Sequence, residues 1–430
     1  MSVIPLSKQV SNMMNGSQVV TAEYLRSEGS NLYGIRDRRT TTANNGAVPI
    51  LNSSSQTTMT FNLQTFGSMF YENVKLHMIV NAPIVATAAA SNPFTRLCNA
   101  FGLFHIYSFQ LWYGGKMVSE VFADDAWTKL LLGNDKNEWN FQASSIGYMS
   151  QANRDTAAGG QQEFFLELDE IISLLNKPLP RGLIQGGSEN FYLQLQLQPI
   201  NSVVETNGTG AVTCTFAKYE LFYTLVNSTP EIDKSITVAM NTGLGINMYQ
   251  LEALTISQSV SSATQTIVQM PVIQGKDVPF IVFYGRPAPS QSSDLAYTTF
   301  SAPITSWNIM VANRYISGAE FDITTGMYYN SILKDQDVAY PENFMPANNN
   351  TPETWTAGAG NGMFIVSYCN SLAKQMQNNK GWSWTGSKYF DQSDVALTVN
   401  YGSSWSGTLY ILIYRVKPTY LSRGSIVASY

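Results

Sequence analysis

The side chains that could carry chemistry are few and scattered. The two histidines, His77 and His105, each sit in an apolar, strand-like context, and no metal-ligating or catalytic partner stands at a recognisable spacing. They read as core or interface residues. No GxSxG, HExxH or phosphate-loop pattern occurs. Gly243-Leu-Gly245 and Gly358-Ala-Gly-Asn-Gly362 lack the lysine and the strand-then-helix context that phosphate binding needs, and read as a hinge and a loop tip. Asp124-Asp125, and Asp335 with Asp337, could offer oxygen ligands to a divalent ion. A full site needs about six ligands, so these read as solvated loop acids. Cys98, Cys214 and Cys369 make an odd, sparse set with no CxxC spacing, read as buried free thiols. Nothing here assembles an active site, so the chain is expected to be no enzyme and to carry no cofactor.

Two features point to surfaces instead. Lys8, Arg26, Arg36, Arg38 and Arg39 gather cations near the N-terminus, offset in part by Glu23, Glu28 and Asp37. Such a segment could meet anionic lipid, a packaged genome or acidic neighbours, or serve as a structural clasp. The aromatic run Gly381-Trp-Ser-Trp-Thr-Gly386, with Tyr389, Phe390 and Trp405, could stack on sugar faces or anchor a core or interface. A glycoside hydrolase on the same scaffold would need two opposed carboxylates, which sequence spacing cannot establish.

The elements that position these residues come twice. Ile106-Tyr-Ser-Phe-Gln-Leu-Trp-Tyr-Gly-Gly-Lys-Met-Val118 is matched by Ile304-Thr-Ser-Trp-Asn-Ile-Met-Val-Ala-Asn-Arg-Tyr-Ile316 at an offset of 198 (304 − 106). Three further matches keep the order, setting Phe164 on Phe364, Leu195 on Leu397 and Tyr219 on Tyr410. Offsets drift between them as loop insertions require. A repeat of this length is a duplicated domain, since solenoid periods are roughly 20–50 residues.

Composition agrees with two β-rich modules. A chain of 430 residues is too long for one core. Charged residues are 13% of it, about half the usual share, and low surface repulsion suits a protein that packs against itself. The net charge of −5 and the lack of a basic block argue against sequence-specific nucleic-acid binding. No stretch approaches the ~18 apolar residues of a membrane span, and the N-terminus lacks a signal-peptide pattern, so a soluble cytosolic product is expected.

Short alternating runs near 58–80, 106–118, 163–168, 191–198 and 212–226 read as strands of the first module. Runs near 250–257, 265–272, 278–284, 304–311, 363–369, 394–401 and 408–416 read as strands of the second. Val121–Leu132 and Asp169–Leu175 read as helical. The long loops 285–303 and 335–362 exceed what a compact domain needs, so contacts or function are expected there. The resulting division is an N-terminal arm over 1–55, a first module over 56–228, a linker over 229–245, a second module over 246–416 and a tail over 417–430.

Strand, small/polar turn, strand, short helix, long excursion and closing strands, all repeated in tandem, resemble the double jelly-roll major capsid proteins of tailless icosahedral viruses. Phe164-Phe-Leu-Glu-Leu-Asp169, followed by Leu179-Pro-Arg-Gly-Leu183 and Phe191–Gln198, also carries the likeness. The resemblance covers roughly 56–416; in the second copy Ser371–Met376 offers a helix with no Leu-Pro after it. It implies an all-β fold of two tandem eight-stranded jelly-roll barrels with short helices and an extended N-terminal arm. It further implies a homotrimer forming a pseudo-hexameric capsomer, with neighbouring capsomers, penton and minor capsid proteins as partners. An internal lipid membrane is expected beneath the shell. The place of action would be the virion capsid, with assembly in the host cytoplasm. The alternative kept open is a carbohydrate-binding jelly roll, lectin-like or receptor-binding.

Overall fold

A computed structural model describes residues 20–21, 35–42, 48–63, 70–113, 115–133, 136–172, 174–175, 191–227, 246–312, 314–315, 321–322, 362–369, 386–391, 394–422 and 425–428. Two β modules follow one another along the chain.

The first module has eight principal strands: β1 (Ile35–Thr42), β2 (Thr57–Asn62), β3 (Phe70–Val80), β4 (Ile106–Tyr113), β5 (Lys116–Phe122), β6 (Gln162–Glu167), β7 (Phe191–Leu197) and β8 (Phe216–Asn227). One sheet has the order β1-β8-β3-β6 and the other β2-β7-β4-β5. All their pairings are antiparallel. Consecutive strands cross from sheet to sheet, the β4–β5 hairpin excepted, which is the wiring of a jelly roll. The inner rows follow from alternation. In β7, Leu193, Leu195 and Leu197 are fully buried while Gln194 and Gln196 face outward. They meet Leu76, Met78, Leu221 and Tyr219 of the opposite sheet in one core.

The arm expected over 1–55 therefore ends earlier. β1 pairs along its length with β8, from Ile35↔Asn227 to Thr42↔Glu220, so Arg36, Arg38 and Arg39 lie in the barrel wall. Its run of charges misreads as a non-strand because β1 is an edge strand, where charge guards against unwanted pairing. Val20–Thr21 does reach beyond this barrel, pairing in parallel with Ile246–Asn247 of the second module. Lys8 and Arg26 lie outside the described residues, as do the 229–245 linker and the 335–361 part of the second long loop.

The second module repeats the plan with β9 (Ile246–Gln269), β10 (Phe280–Arg286), β11 (Ile304–Val311), β12 (Arg314–Tyr315), β13 (Met363–Ser367) and β14 (Val395–Ser422). Runs expected as separate strands are fused. β9 and β14 each pass from one sheet to the other, and their pairing shifts register between Val260 and Gln265. Ser262 takes φ +46 at that corner. On one side of it the order is β9-β14-β10-β13, and on the other β9-β14-β11-β12. Strands that bend through a corner let one strand serve both layers. The segment expected as a tail is also strand: β14 runs to Ser422, and Ser425–Ala428 folds back on it.

All four sequence matches fall on equivalent strands. The hairpins close at Tyr113↔Lys116 and at Val311↔Arg314, both at the offset of 198. The match of Tyr219 to Tyr410 is one residue out. Tyr219 faces the core against Phe61, whereas Tyr410 lies on the outer face beside Tyr284. A one-residue slip exchanges the two faces of a strand.

Short helices fill the connections of the first module: α1 (Phe101–Phe104), α2 (Ala123–Gly133), α3 (Lys136–Ser145), α4 (Gln151–Ala157) and α5 (Leu168–Ile171). α2 starts with Asp124 and Asp125, which favour a helix N-terminus, two residues later than expected because Val121 and Phe122 complete β5.

Candidate functional site

The two modules meet along a seam built from the outer face of one sheet of the second module. On β10 the outward row is Val282, Tyr284 and Arg286; on β13 it is Met363 and Ile365; on β14 it is Leu412 and Tyr414. All seven are buried. β10 reads Phe-Ile-Val-Phe-Tyr-Gly-Arg with every position buried, the unbroken apolar run expected of a strand covered on both faces. That run, with Met363–Val366 on β13 and Leu409–Tyr414 on β14, is a sequence signal that could have located the seam.

Over β10 and β14 the cover comes from the first module and from the connection 287–303. Arg286 Nη1 donates to Asp124 Oδ1 at 2.6 Å. Its guanidinium is otherwise enclosed by the rings of Tyr284, Tyr410 and Phe104, at 4.9, 5.2 and 5.7 Å. Burial works against this charge, but Asp124 prevails and holds the guanidinium above its ordinary pKa. The next residue, Asp125, accepts from Lys129 Nζ one turn along α2 at 2.9 Å, with both side chains buried. Burial raises the Asp125 pKa and Lys129 opposes it. The reading of Asp124-Asp125 as solvated loop acids is thus corrected: they open a buried helix, where a neighbouring module supplies a cation. Asp335 and Asp337 lie outside the described residues.

A second knot centres on Glu205, which is fully buried. Its Oε2 accepts from Arg96 Nε and Arg154 Nη1, both at 2.8 Å, and its Oε1 accepts from the Leu295 backbone N–H at 3.2 Å. Arg96 also donates to Asp155 Oδ1 at 2.5 Å and to the Ser293 carbonyl at 2.9 Å. Around it, Tyr297 stacks on Phe104 at 4.7 Å and donates to the Ser202 carbonyl, and Asn99 donates to Thr298. The long connection 285–303 therefore does carry contacts, and they are intramolecular. Sequence reading missed Arg96, Arg154, Glu205 and Arg286, each a single charge whose partner lies far along the chain.

The seam also fixes orientation. Arg286, at the end of β10, meets the start of α2, which follows β5; Gln250, early in β9, donates to the Val118 carbonyl, early in β5. Matching ends of the two barrels therefore lie together, and the barrels stand side by side pointing the same way.

The remaining candidates resolve as follows. His105 is fully buried, with Nδ1 2.8 Å from the Phe101 carbonyl and Nε2 3.1 Å from the Tyr219 hydroxyl. Burial lowers its pKa to about 4. His77 is nearly buried on the outer face of the first module, between Glu220 and Glu163. The three cysteines are free and buried, and burial pushes Cys214 up to about 12. Trp405, considered for sugar stacking, is buried at the β14 corner and donates to Ser301. Trp382 and Trp384 lie outside the described residues.

Neither a protein-family model nor a curated protein sequence matches the chain. Solved structures do. The chain aligns with the PBCV-1 virus capsid over 93% of its own length and 97% of the other's, with a TM-score of 0.62 at 12% identity. The Faustovirus major capsid protein aligns over 90% of each chain, with a TM-score of 0.60 at 11% identity. The fold is the double jelly roll. A chain of the Sputnik virophage shares this double jelly roll, over 93% of this chain and 89% of that one, with a TM-score of 0.56 at 10% identity. At such identities the likeness concerns backbone architecture, and the double jelly roll here is defined by its own strand order and by the buried seam.

Proposed function

We propose that this chain is a structural major capsid protein with no catalytic role, three copies of which form a pseudo-hexameric capsomer of an icosahedral virus shell. The observation that carries the reading is the pair of jelly rolls locked side by side in one orientation, the fold shared across nine-tenths of its length with viral capsid proteins. A subunit holding two similar barrels in one orientation presents three chains as six near-equivalent posts, which suits hexagonal packing. Its modules run from Ile35 to Asn227 and from Ile246 onward. Neighbouring capsomers, penton and minor capsid proteins are its partners, in the virion capsid after assembly in the host cytoplasm.

An internal lipid membrane fits the distribution of charge. Among the described residues, Lys116, Lys276, Arg314 and Lys388 have no ion-pair partner, whereas Lys75, Arg96, Lys129, Arg154, Lys218, Arg286, Arg415 and Lys417 do. These four cations sit at the barrel end that holds the β4–β5 and β11–β12 turns. Exposed Met117, Val272, Tyr315 and Tyr389 lie beside them, a mixture suited to a lipid interface. Asp277, Asp391 and Asp394 share that end and temper the attraction.

Sedimentation of the purified chain tests the shell reading. A trimer that dilution barely dissociates is expected, and a monodisperse monomer at micromolar concentration would overturn it. Flotation with anionic vesicles, compared with zwitterionic ones, tests the membrane.

A further inference from the structure

A groove opens at the foot of the second module, where β9 and β11 end and β14 begins. Gln269, Ala396 and Met310 form one row across these three strands, and Tyr315 of β12 continues it. The row lies on the outer face of its sheet, because the neighbouring row of Val268, Leu397 and Ile309 belongs to the core. Pro271 and Gln274, in the turn after β9, and Asp394 and Val395, at the start of β14, complete the walls. The enclosed volume is about 350 Å³, within the range of small-molecule sites.

Its polar groups are acceptors in search of a donor. The Asp394 side chain is exposed and has no ion pair among the described residues, while its backbone carbonyl is held by the Ala312 N–H at 2.9 Å. One row further up the same face, Asn308 is 5% exposed and its side-chain oxygen has no hydrogen-bond partner among the described residues. Such an oxygen is costly to bury unless something donates to it. Cations flank the groove. Lys276 follows Gln274 by two residues, in a strand that pairs with Lys388–Phe390, and Arg314 stands in the strand beside β11. Exposed Val272 and Tyr315 adjoin Pro271 and Met310. Negative charge within, positive charge around and apolar side chains beside both make a composite surface.

We propose that this groove takes the headgroup of an ethanolamine phospholipid, its ammonium on Asp394 and its phosphate toward Lys276 and Arg314. The inference rests on the membrane reading and adds which lipid the foot of the second module selects. Charge complementarity carries it. A simple anion meets Asp394, and a simple cation meets Lys276, Lys388 and Arg314 around the entrance. A ligand that holds both charges a few bonds apart satisfies both. A primary ammonium has three N–H donors to share among the acceptors of the groove, whereas the trimethylammonium of a choline lipid has none. Val272 and Tyr315 then lie where the headgroup gives way to acyl chains, the depth at which tyrosine is favoured. Asp394, which weakens a purely electrostatic attraction to anionic lipid, gains a role in choosing among lipids.

The test is flotation of the full chain with two sets of vesicles of equal phosphatidylglycerol content, the remainder being choline lipid in one set and ethanolamine lipid in the other. Wild type is compared with Asp394→Asn and with Asp277→Asn, which removes the same charge at an exposed residue outside the groove. Wild type should partition about tenfold more strongly to the ethanolamine set, the worth of one charge-assisted hydrogen bond. Asp394→Asn should lose that preference while binding the choline set at least as well as wild type, and Asp277→Asn should keep it. Wild type that binds both sets equally overturns this inference and leaves the membrane reading standing; a groove filled by a lysine side chain of a protein partner gives that result. A preference that survives in Asp394→Asn, or is lost in both variants alike, overturns the groove as its seat. Wild type that floats with neither set overturns the membrane reading, and this inference falls with it.

Discussion

Arg286, the last residue of β10, donates to Asp124, near the start of α2, across a sequence separation of 162 and a distance of 2.6 Å. Each residue belongs to a different barrel, so this bond exists only when both are folded and docked. Removing Asp124 leaves the Arg286 guanidinium, 6% exposed, buried and unpaired, which costs about 3–5 kcal/mol. Asp124→Leu should therefore destabilise the chain by that amount in urea unfolding. The double change Arg286→Met with Asp124→Leu should recover part of it. A single-variant loss below about 1 kcal/mol would show that the pair does not hold the seam.

Glu205 and Asp155 both bind Arg96, yet they should differ sharply. Glu205 is fully buried and takes two guanidinium groups, whereas the Asp155 side chain is 45% exposed. Glu205→Ala strands both arginines and should cost about 3–5 kcal/mol. Asp155→Ala should cost under about 1 kcal/mol, as solvent-screened pairs do. Equal losses by chemical denaturation would contradict the placement of Glu205 at the centre.

His105 should make the fold acid-sensitive. Burial lowers its pKa to about 4 in the folded chain, against about 6.5 when unfolded. Between these values the unfolded state binds more protons, so stability rises with pH across that window. It is fully present above about 6.5 and is lost as pH falls toward 4, by roughly 3 kcal/mol in all. The Tm of His105→Phe should fall less steeply than that of wild type from pH 6.5 to pH 4. Parallel Tm curves would rule the histidine out as a source of acid sensitivity.

Gly407 marks the corner where β14 crosses between sheets. A Cβ there would lie 2.3 Å from the Arg286 carbonyl oxygen and 2.5 Å from the Trp405 ring. Since one obstacle is backbone, relaxation is limited, and Gly407→Ala should cost about 3 kcal/mol. Gly133→Ala, with open space around it, should leave the unfolding midpoint within about 0.5 kcal/mol of wild type or raise it.

The duplication was legible from sequence because alternation survives wherever one face of a strand is buried and the other is wet. Phe191–Leu197 shows it, and its partner in the second half falls on an equivalent strand. β1 was not legible, because Arg36-Asp37-Arg38-Arg39 interrupts the apolar alternation by which a strand is read. The slip of Tyr219 against Tyr410 has a related cause. β14 is apolar on both faces, so nothing in its composition says which row is inward. The corners in β9 and β14 were read as breaks, since Ser and Gly clusters punctuate turns and strand-switching bends alike.

Sequence alone was enough for the architecture: two β modules of one descent, each closed on itself, with little chemistry between them. Pattern decides this because periodicity is a local property of the chain. Only the tertiary structure decided how the barrels are joined, since Asp124, Glu205, Arg96 and Arg286 carry no local sign of their partners. An isolated charge in an apolar run looks the same whether it faces water or a counter-ion brought from far along the chain. Which module buries its outer sheet and which keeps a hydrogen-bonded histidine face open is settled by docking, where desolvation and pairing are balanced in three dimensions.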